Sequence, residues 1–319
     1  MEYRRVGTSG LKVSAISLGA WLTYGSSRVD EENAINCIRR AIELGVNFID
    51  VADIYAYGKA EEIVGRAIKG YRRSDLVIST KAYWPMSDDP NDRGLSRKHI
   101  FESVHRSLKR FDLDYIDIFF CHRYDDETPV EETARAIDDL IRQGKILYWG
   151  TSMWSGENID EAIEVMKAIN GNRPIVEQPL YNMLDRSIVE GALEEAVSRH
   201  GMGLVVWSPL AQGVLTGKYN EGIPEESRAK NVDPAWFAQQ ISEERLSKAR
   251  AITALAEELG TTPAALALAW TLKNPHVSSA ITGATRPAHI EANLKALEVT
   301  ITDEINERIE AILQPAPQP

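Results

Sequence analysis

The sequence predicts an α/β fold of the (β/α)8 TIM-barrel class, with an N-terminal β-hairpin at the barrel bottom and a long loop after strand seven. Three observations carry that expectation. Eight short runs rich in β-branched and aromatic residues alternate with helical patterns along the chain, which is the mark of parallel β/α units. Eight such units within roughly 250 residues suit a closed barrel better than two open sheets. No linker composition interrupts them, so residues 1–313 read as one domain, and the QPAPQP stretch at 314–319 reads as a disordered, extended tail.

Taken in order, residues 2–14, EYRRVGTSGLKVS, alternate around a Gly-rich turn and predict the hairpin. ISLGAW at 16–21 is the first barrel strand, and DEENAINCIRRAIELG at 30–45 is its helix, capped by Asp30 and ended by a left-handed Gly45. NFIDVA at 47–52 is the second strand. The joint that follows holds Asp53, Tyr55 and Tyr57 where a plain turn would suffice. LVISTK at 76–81 and YIDIFFCH at 115–122 are strands three and four, separated by a helix over 96–111 with Ser96 as its cap. A helix over 128–144, with Thr128 as its cap, leads to ILYWGTS at 146–152. IVEQPL at 175–180, GLVVWSPL at 203–210 and SAITGA at 279–284 complete the set. Between the last two lies a connection at 211–242 carrying Lys218, Arg228 and Lys230; a loop of that length in a compact domain is usually functional.

Bulk properties narrow the function classes. A net charge of −11 repels phosphate backbones, so nucleic acid is not an expected partner and any anionic ligand needs a local patch of cations. The opening MEYRRVGTSG lacks an apolar signal core, and no apolar run is long enough to cross a bilayer. The expectation is a cytoplasmic protein with no membrane insertion. Cys37 falls on a helix and Cys121 on a strand, which gives no support to a disulfide framework or a cysteine metal site.

In a closed barrel the strand C-termini carry the chemistry. Collected there are Asp50 and Tyr55 after strand two, Lys81 ending strand three, His122 ending strand four, Ser152 after strand five, Gln178 on strand six, and Trp207 with Ser208 on strand seven. Tyrosine has an ordinary pKa of about 10 and needs a nearby cation to exchange protons near neutrality. Lys81 could supply that charge, Asp50 could anchor Lys81, and His122 could donate a hydrogen bond to a substrate oxygen. An acid, its tuner, the tuner's anchor and a polariser together suit carbonyl reduction. Each of these residues taken singly also has a bland reading as a turn former, rim packing or a satisfied core histidine. Lys81 resists it, because a buried lysine needs a carboxylate. Metal binding by His122 with Asp50, Asp53 and Asp117 is the rival use. It is not expected, since one of six histidines lies at a strand C-terminus and no HxH pair occurs.

At this point the chain resembles the aldo-keto reductases, and within them the branch containing the beta subunits of voltage-gated potassium channels. The resemblance runs from RRVGTSGLKVSAISLG through DVADIYAYGKAE, RRSDLVISTK, GLSRKHI, VEETARAIDDLIRQGKILYWGTSMWS and WSPLAQGVLTGKY to ITGAT. By position it implies a catalytic tetrad of Asp50, Tyr55, Lys81 and His122, with Tyr55 as general acid; Asp53 and Tyr57 take no family role and read as structural. It also implies NADPH, held without a Rossmann fingerprint, and no GxGxxG follows a strand here. Trp207 would stack on the nicotinamide, and Ser152 and Gln178 would hold its carboxamide. Ser208, Leu210, Gly213 and Lys218 would line the pyrophosphate, and Trp21, Pro209 and Ala211 would also bind the cofactor. The adenosine end would fall on Arg228, Gly283, Thr285, Arg286, His289 and Asn293. Arg228 and Arg286, with Thr285 near a helix start at Pro287, form a positive site suited to a 2′-phosphate, which favours NADPH over NADH.

The chain departs from the channel branch at several positions. That branch commonly has Asn where this chain has His122, and Arg where it has Met153. Near the adenine the branch often carries Gln and Glu in place of His289 and Ala292. Two functional readings follow: an NADPH-dependent reductase of aldehydes or ketones, or a cofactor-sensing subunit that docks on a membrane channel. A homo-oligomer, a tetramer by analogy, accompanies either reading. Trp21, Tyr24, Tyr83, Trp84, Tyr124 and Trp154 lie on or beside the top-face loops and predict an aromatic substrate pocket, suited to aromatic aldehydes or small dicarbonyls such as methylglyoxal.

Overall fold

The computed structural model describes residues 1–25, 29–224, 227 and 234–314. The chain opens with the antiparallel pair β1 (Tyr3–Arg5) and β2 (Lys12–Ser14). Eight parallel strands follow: β3 (Ile16–Gly19), β4 (Phe48–Asp50), β5 (Val77–Ala82), β6 (Ile116–Cys121), β7 (Ile146–Thr151), β8 (Val176–Glu177), β9 (Gly203–Val206) and β10 (Val277–Thr282). They close into a barrel in the order β10-β3-β4-β5-β6-β7-β8-β9. All eight expected barrel strands form in the expected order. Most are shorter than the sequence pattern, and seven of the eight end one to four residues sooner.

The hairpin lies across the end where the strands begin. Arg4 Nη1 donates to the carbonyl of Val277 at 3.0 Å, at the start of β10, and to that of Leu272 at 2.7 Å. The N–H of Ser14 donates to Asn47 Oδ1 at 2.7 Å, just before β4. Gly7, at φ +56°, approaches the chain entering β9 so closely that a Cβ there would sit 2.3 Å from the Gly201 carbonyl oxygen. Only glycine allows both the conformation and the contact. Val6 and Val13 of the hairpin thus plug an interior packed with Phe48, Val77, Phe120, Val205 and neighbouring apolar side chains.

Around the barrel run α1 (Glu31–Glu43), α2 (Lys59–Ile68), α3 (Arg97–Phe111), α4 (Val130–Arg142), α5 (Gly156–Ala168), α6 (Ala192–His200), α7 (Pro234–Gln240), α8 (Glu243–Glu258), α9 (Pro263–Lys273), α10 (Pro287–Leu294) and α11 (Asp303–Leu313). Their apolar faces bury two large clusters against the outer barrel wall. Asp30 caps α1 by accepting from the Asn33 N–H at 2.8 Å, and Ser96 caps α3 by accepting from His99 at 3.2 Å. The expected cap of α4 is corrected: Pro129 holds the N-cap position, and the Thr128 hydroxyl instead donates to Asp125 Oδ2 at 2.7 Å. Asp125 also accepts from the Leu95 N–H at 2.7 Å and so ties two top-face loops together. The long segment after β9 is not structureless, since it starts as a 3₁₀ turn over Ala211–Thr216 and contains α7. Lys230 and residues 315–319 of the tail lie outside the described residues.

Candidate active site

The barrel mouth is polar where the chain leaves β4 and β5. Asp50 ends β4 and Lys81 sits one residue from the end of β5, on neighbouring strands. Lys81 is fully buried, and its Nζ donates to Asp50 Oδ2 at 2.7 Å and to the Val51 carbonyl at 2.6 Å. The same ammonium reaches the Tyr55 hydroxyl oxygen at 3.4 Å. Asp50 Oδ1 accepts from the Ser79 hydroxyl at 2.7 Å and from Gln178 Nε2 at 3.0 Å. Both carboxylate oxygens are therefore engaged, which is what a buried ion pair requires to persist.

Local backbone geometry aims Tyr55. It opens a 3₁₀ turn over Tyr55–Gly58, and the next three residues are left-handed: Ala56 at φ +48°, Tyr57 at φ +51° and Gly58 at φ +88°. Two non-glycine residues in that region carry strain. The kink sends Tyr57 outward, 74% exposed, while half-buried Tyr55 packs toward the mouth. Gly58 is needed twice over, since a Cβ there would lie 2.6 Å from Arg110 Cδ. His122 follows β6, with its ring edge-on to Tyr55 at 5.9 Å between centroids, and Trp84 stands edge-on to His122 at 6.3 Å. The buried His122 Nδ1 has no hydrogen-bond partner among the described residues.

Electrostatics assign the protonation states. Burial, with the Lys81 and Arg123 cations nearby, holds His122 well below the usual imidazole range, so it is neutral. Burial lowers the Lys81 ammonium, and the Asp50 carboxylate opposes that shift. For Tyr55 the expected downward pull does not win: burial and then the Asp50 charge raise the hydroxyl well above the ordinary value. Lys81 is already neutralised by Asp50, so it leaves Tyr55 a stable proton carrier. Burial and then Glu61 push the Asp53 carboxyl up to about 7. Its Oδ2 accepts from the Ser103 hydroxyl at 2.7 Å, and its Oδ1 has no partner among the described residues.

A second group of expected residues lines the loops after β7 to β10. Trp21, following β3, meets Trp207 edge-on at 6.0 Å. The Ser152 hydroxyl donates to the Gln178 carbonyl at 2.9 Å, and the Gln178 side chain returns to Asp50, so these two residues lead directly into the ion pair. After β9, Ser208, Ala211, Gln212 and Gly213 all have positive φ, between +47° and +97°. The run closes on itself, with the Ala211 N–H donating to the Ser208 carbonyl at 2.9 Å and the Gly213 N–H to that of Leu210 at 2.8 Å. The Ser208 carbonyl accepts from Asn182 Nδ2 at 3.0 Å, and Gln212 Nε2 donates to the Ser208 hydroxyl. Pro209 is buried and Leu210 half-buried beneath the turn. Gly213 gives Lys218 room, since a Cβ would stand 2.6 Å from Lys218 Nζ, which lies 4.9 Å over the Tyr219 ring. Lys218 is the cation that this turn could offer an anionic ligand.

After β10, Gly283 is exposed, the Thr285 carbonyl accepts from Asn33 Nδ2 at 2.6 Å, and the Thr285 hydroxyl lies 3.3 Å from His289 Nδ1. Arg286 is exposed and donates through Nε to His289 Nε2 at 2.9 Å. Asn293 is buried on α10. Arg228 lies outside the described residues.

The six expected pocket aromatics separate into groups. Tyr83 packs edge-on to the exposed Trp84 at 5.2 Å, near His122. Tyr124 pairs with Trp154 at 4.9 Å and donates its hydroxyl to Glu161 at 3.0 Å. Trp154 and Tyr24 are buried in the outer-wall clusters, 3% and 1% exposed. Residues that the sequence reading missed include Arg123, whose Nη1 donates to the His122 carbonyl at 2.5 Å, and Glu177, pushed up to about 7 by burial. The charge of an Arg directly after a strand-end His was the available signal for the first. Nothing in a two-residue strand marks the second. Among the described residues no cluster of three or more His, Cys, Asp or Glu side chains could hold a metal ion.

Known proteins match the chain along nearly its whole length. The pattern of the Aldo/keto reductase family matches residues 15–314. A "Probable voltage-gated potassium channel subunit beta" of Arabidopsis thaliana is 48% identical, over 100% of this chain and 98% of its own length. One of the same name from Oryza sativa subsp. japonica is 47% identical over the same shares. Both names are those of the branch that the sequence resembles.

Proposed function

We propose that this chain, which belongs to the aldo/keto reductase family, reduces aldehydes or ketones to alcohols with NADPH, using Tyr55 as general acid. Family membership makes it an oxidoreductase that works with a nicotinamide cofactor; the choice of NADPH, the carbonyl substrate and the role of Tyr55 are our reading. One observation supports it above the others: a fully buried Lys81 that joins Asp50 at 2.7 Å to the Tyr55 hydroxyl at 3.4 Å. When bound, the cofactor supplies the hydride. Tyr55 holds the proton that the carbonyl oxygen must gain, and its raised pKa keeps that proton in place through neutral pH. Lys81 orients the hydroxyl through its oxygen, Asp50 fixes Lys81, and neutral His122 offers one ring N–H to the substrate oxygen. Trp21 and Trp207 would cover the nicotinamide, Ser152 and Gln178 would orient it, and the turn at Ser208–Gly213 with Lys218 would take the diphosphate. Arg286 with Thr285, His289 and Asn293 would hold the adenosine end. The pocket wall would come from Tyr83 and Trp84, with Tyr124 farther out.

Tyr55→Phe tests this reading. The expected result is a loss of NADPH-dependent aldehyde reduction of about 10²-fold or more, with NADPH affinity within a few-fold of the wild type. Full activity in the variant would remove Tyr55 from the role of acid.

A second reading has one observation in its favour, the channel-subunit names of relatives nearly half identical along their whole length. On it, the protein is a cytoplasmic, oligomeric sensor whose bound NADPH reports redox state to a membrane channel. Tight NADPH binding with negligible turnover, together with co-purification of a tetrameric channel domain, would favour this second reading.

A further inference from the structure

We propose that Arg123 sets substrate choice at this site by selecting carbonyl compounds that carry a carboxylate a short distance from the reacting carbonyl. This rests on the reductase reading and names its substrate class. Arg123 follows His122 at the end of β6, and its Nη1 is tethered to the His122 carbonyl at 2.5 Å. Its Cζ lies 5.4 Å from the centroid of the Trp84 ring, which itself packs on His122. Backbone tether and aromatic face together fix the guanidinium beside the wall that leads to Tyr55.

What the guanidinium lacks is a bonded counter-ion; Glu177 acts on it only through space. Arg123 is half-buried, yet among the described residues no carboxylate lies within ion-pair distance of it. Neighbouring acids are otherwise engaged. Asp50 is committed to Lys81, and Glu177 takes the Thr151 hydroxyl at 2.5 Å and the Trp154 N–H at 3.3 Å. A partly desolvated cation costs free energy unless something pairs with it, and among the described residues its five N–H donors meet only the His122 carbonyl. A carboxylate matches the remaining fork in two parallel hydrogen bonds, a geometry that lysine cannot offer. Aromatic or short aliphatic aldehyde acids would present the carbonyl to Tyr55 and the carboxylate to Arg123.

The rival role is electrostatic tuning, since the Arg123 charge favours ionisation of Tyr55. Kinetics with a matched pair separate the two: 4-formylbenzoate and 4-formylbenzamide, at saturating NADPH, on the wild type, Arg123→Met and Arg123→Lys. The expected result is that Arg123→Met lowers the ratio of kcat/KM for the carboxylate to that for the amide at least tenfold, mostly through KM, with partial recovery in Arg123→Lys. Equal losses on both substrates would overturn the proposal in favour of tuning, and a change confined to the KM for NADPH would overturn it in favour of cofactor binding. Should the wild type reduce neither aldehyde, the reductase reading fails by itself. Calorimetric titration of the NADPH-loaded protein with benzoate then decides: binding that Arg123→Met abolishes sustains a carboxylate site, and no binding in the wild type overturns it.

Discussion

At the scale of single residues, the site is governed by how burial and pairing compete. Lys81 is tolerated inside the barrel because Asp50 and the Val51 carbonyl accept its hydrogen bonds. Lys81→Met would leave Asp50 charged and buried without its partner, and it is expected to destabilise the protein by about 3–5 kcal/mol. Urea unfolding checks this, and the activity loss should exceed what any residual unfolding explains. Asp53 poses the opposite case, a buried carboxyl with no cation bonded to it. Its folded pKa of about 7 lies above the ordinary 3.8, so between those values the folded state binds more protons than the unfolded state. The associated stability is therefore fully present below about 4 and is lost as pH rises through about 7. Asp53→Asn should abolish that loss. Its Tm should exceed that of the wild type by about 2 °C or more at pH 8 and agree with it near pH 4.5, as thermal scans across pH would show. Glu177, also near 7, keeps some slope in both proteins.

At the scale of elements, register and close approach decide which residues reach the mouth. The joint after β4 illustrates this: left-handed Ala56, the first of three such residues, separates Tyr55, turned in, from Tyr57, turned out. Alternation along the sequence could not have distinguished the two, because a 3₁₀ turn with left-handed members has no strand or helix period. The α2–α3 contact depends on Gly65, where a Cβ would meet the Phe111 carbonyl oxygen at 2.5 Å. Since backbone cannot yield as a flexible side chain does, Gly65→Ala is expected to cost about 1–3 kcal/mol and to loosen the helix that follows Tyr55. A lowered urea midpoint with an unchanged m-value is the expected signature. Caps Asp30 and Ser96 were legible from residue type and position. Thr128 was not, because Asp125, a neighbour from the same loop, competes for its hydroxyl.

At the scale of the whole molecule, a chain with net charge −11 is expected to bind a polyanionic cofactor only through localised groups. NADPH in large excess over its Kd should stabilise the fold by about 2.7 kcal/mol at a hundredfold excess, and NADH should do less. Arg286→Ala should narrow the gap between the two cofactors; differential scanning fluorimetry with each cofactor reads it directly. The sequence by itself determined the eight-strand order, the hairpin and the gathering of Asp50, Tyr55, Lys81 and His122 at strand ends, because parallel β/α repetition turns sequence spacing into position at one barrel face. Tertiary structure alone decided the rest. It set the raised Tyr55 pKa, the burial of Tyr24 and Trp154 away from an open rim, and an Arg123 that no carboxylate reaches within ion-pair distance among the described residues. Each of these depends on which groups from distant segments exclude water from a side chain, and no local pattern records that.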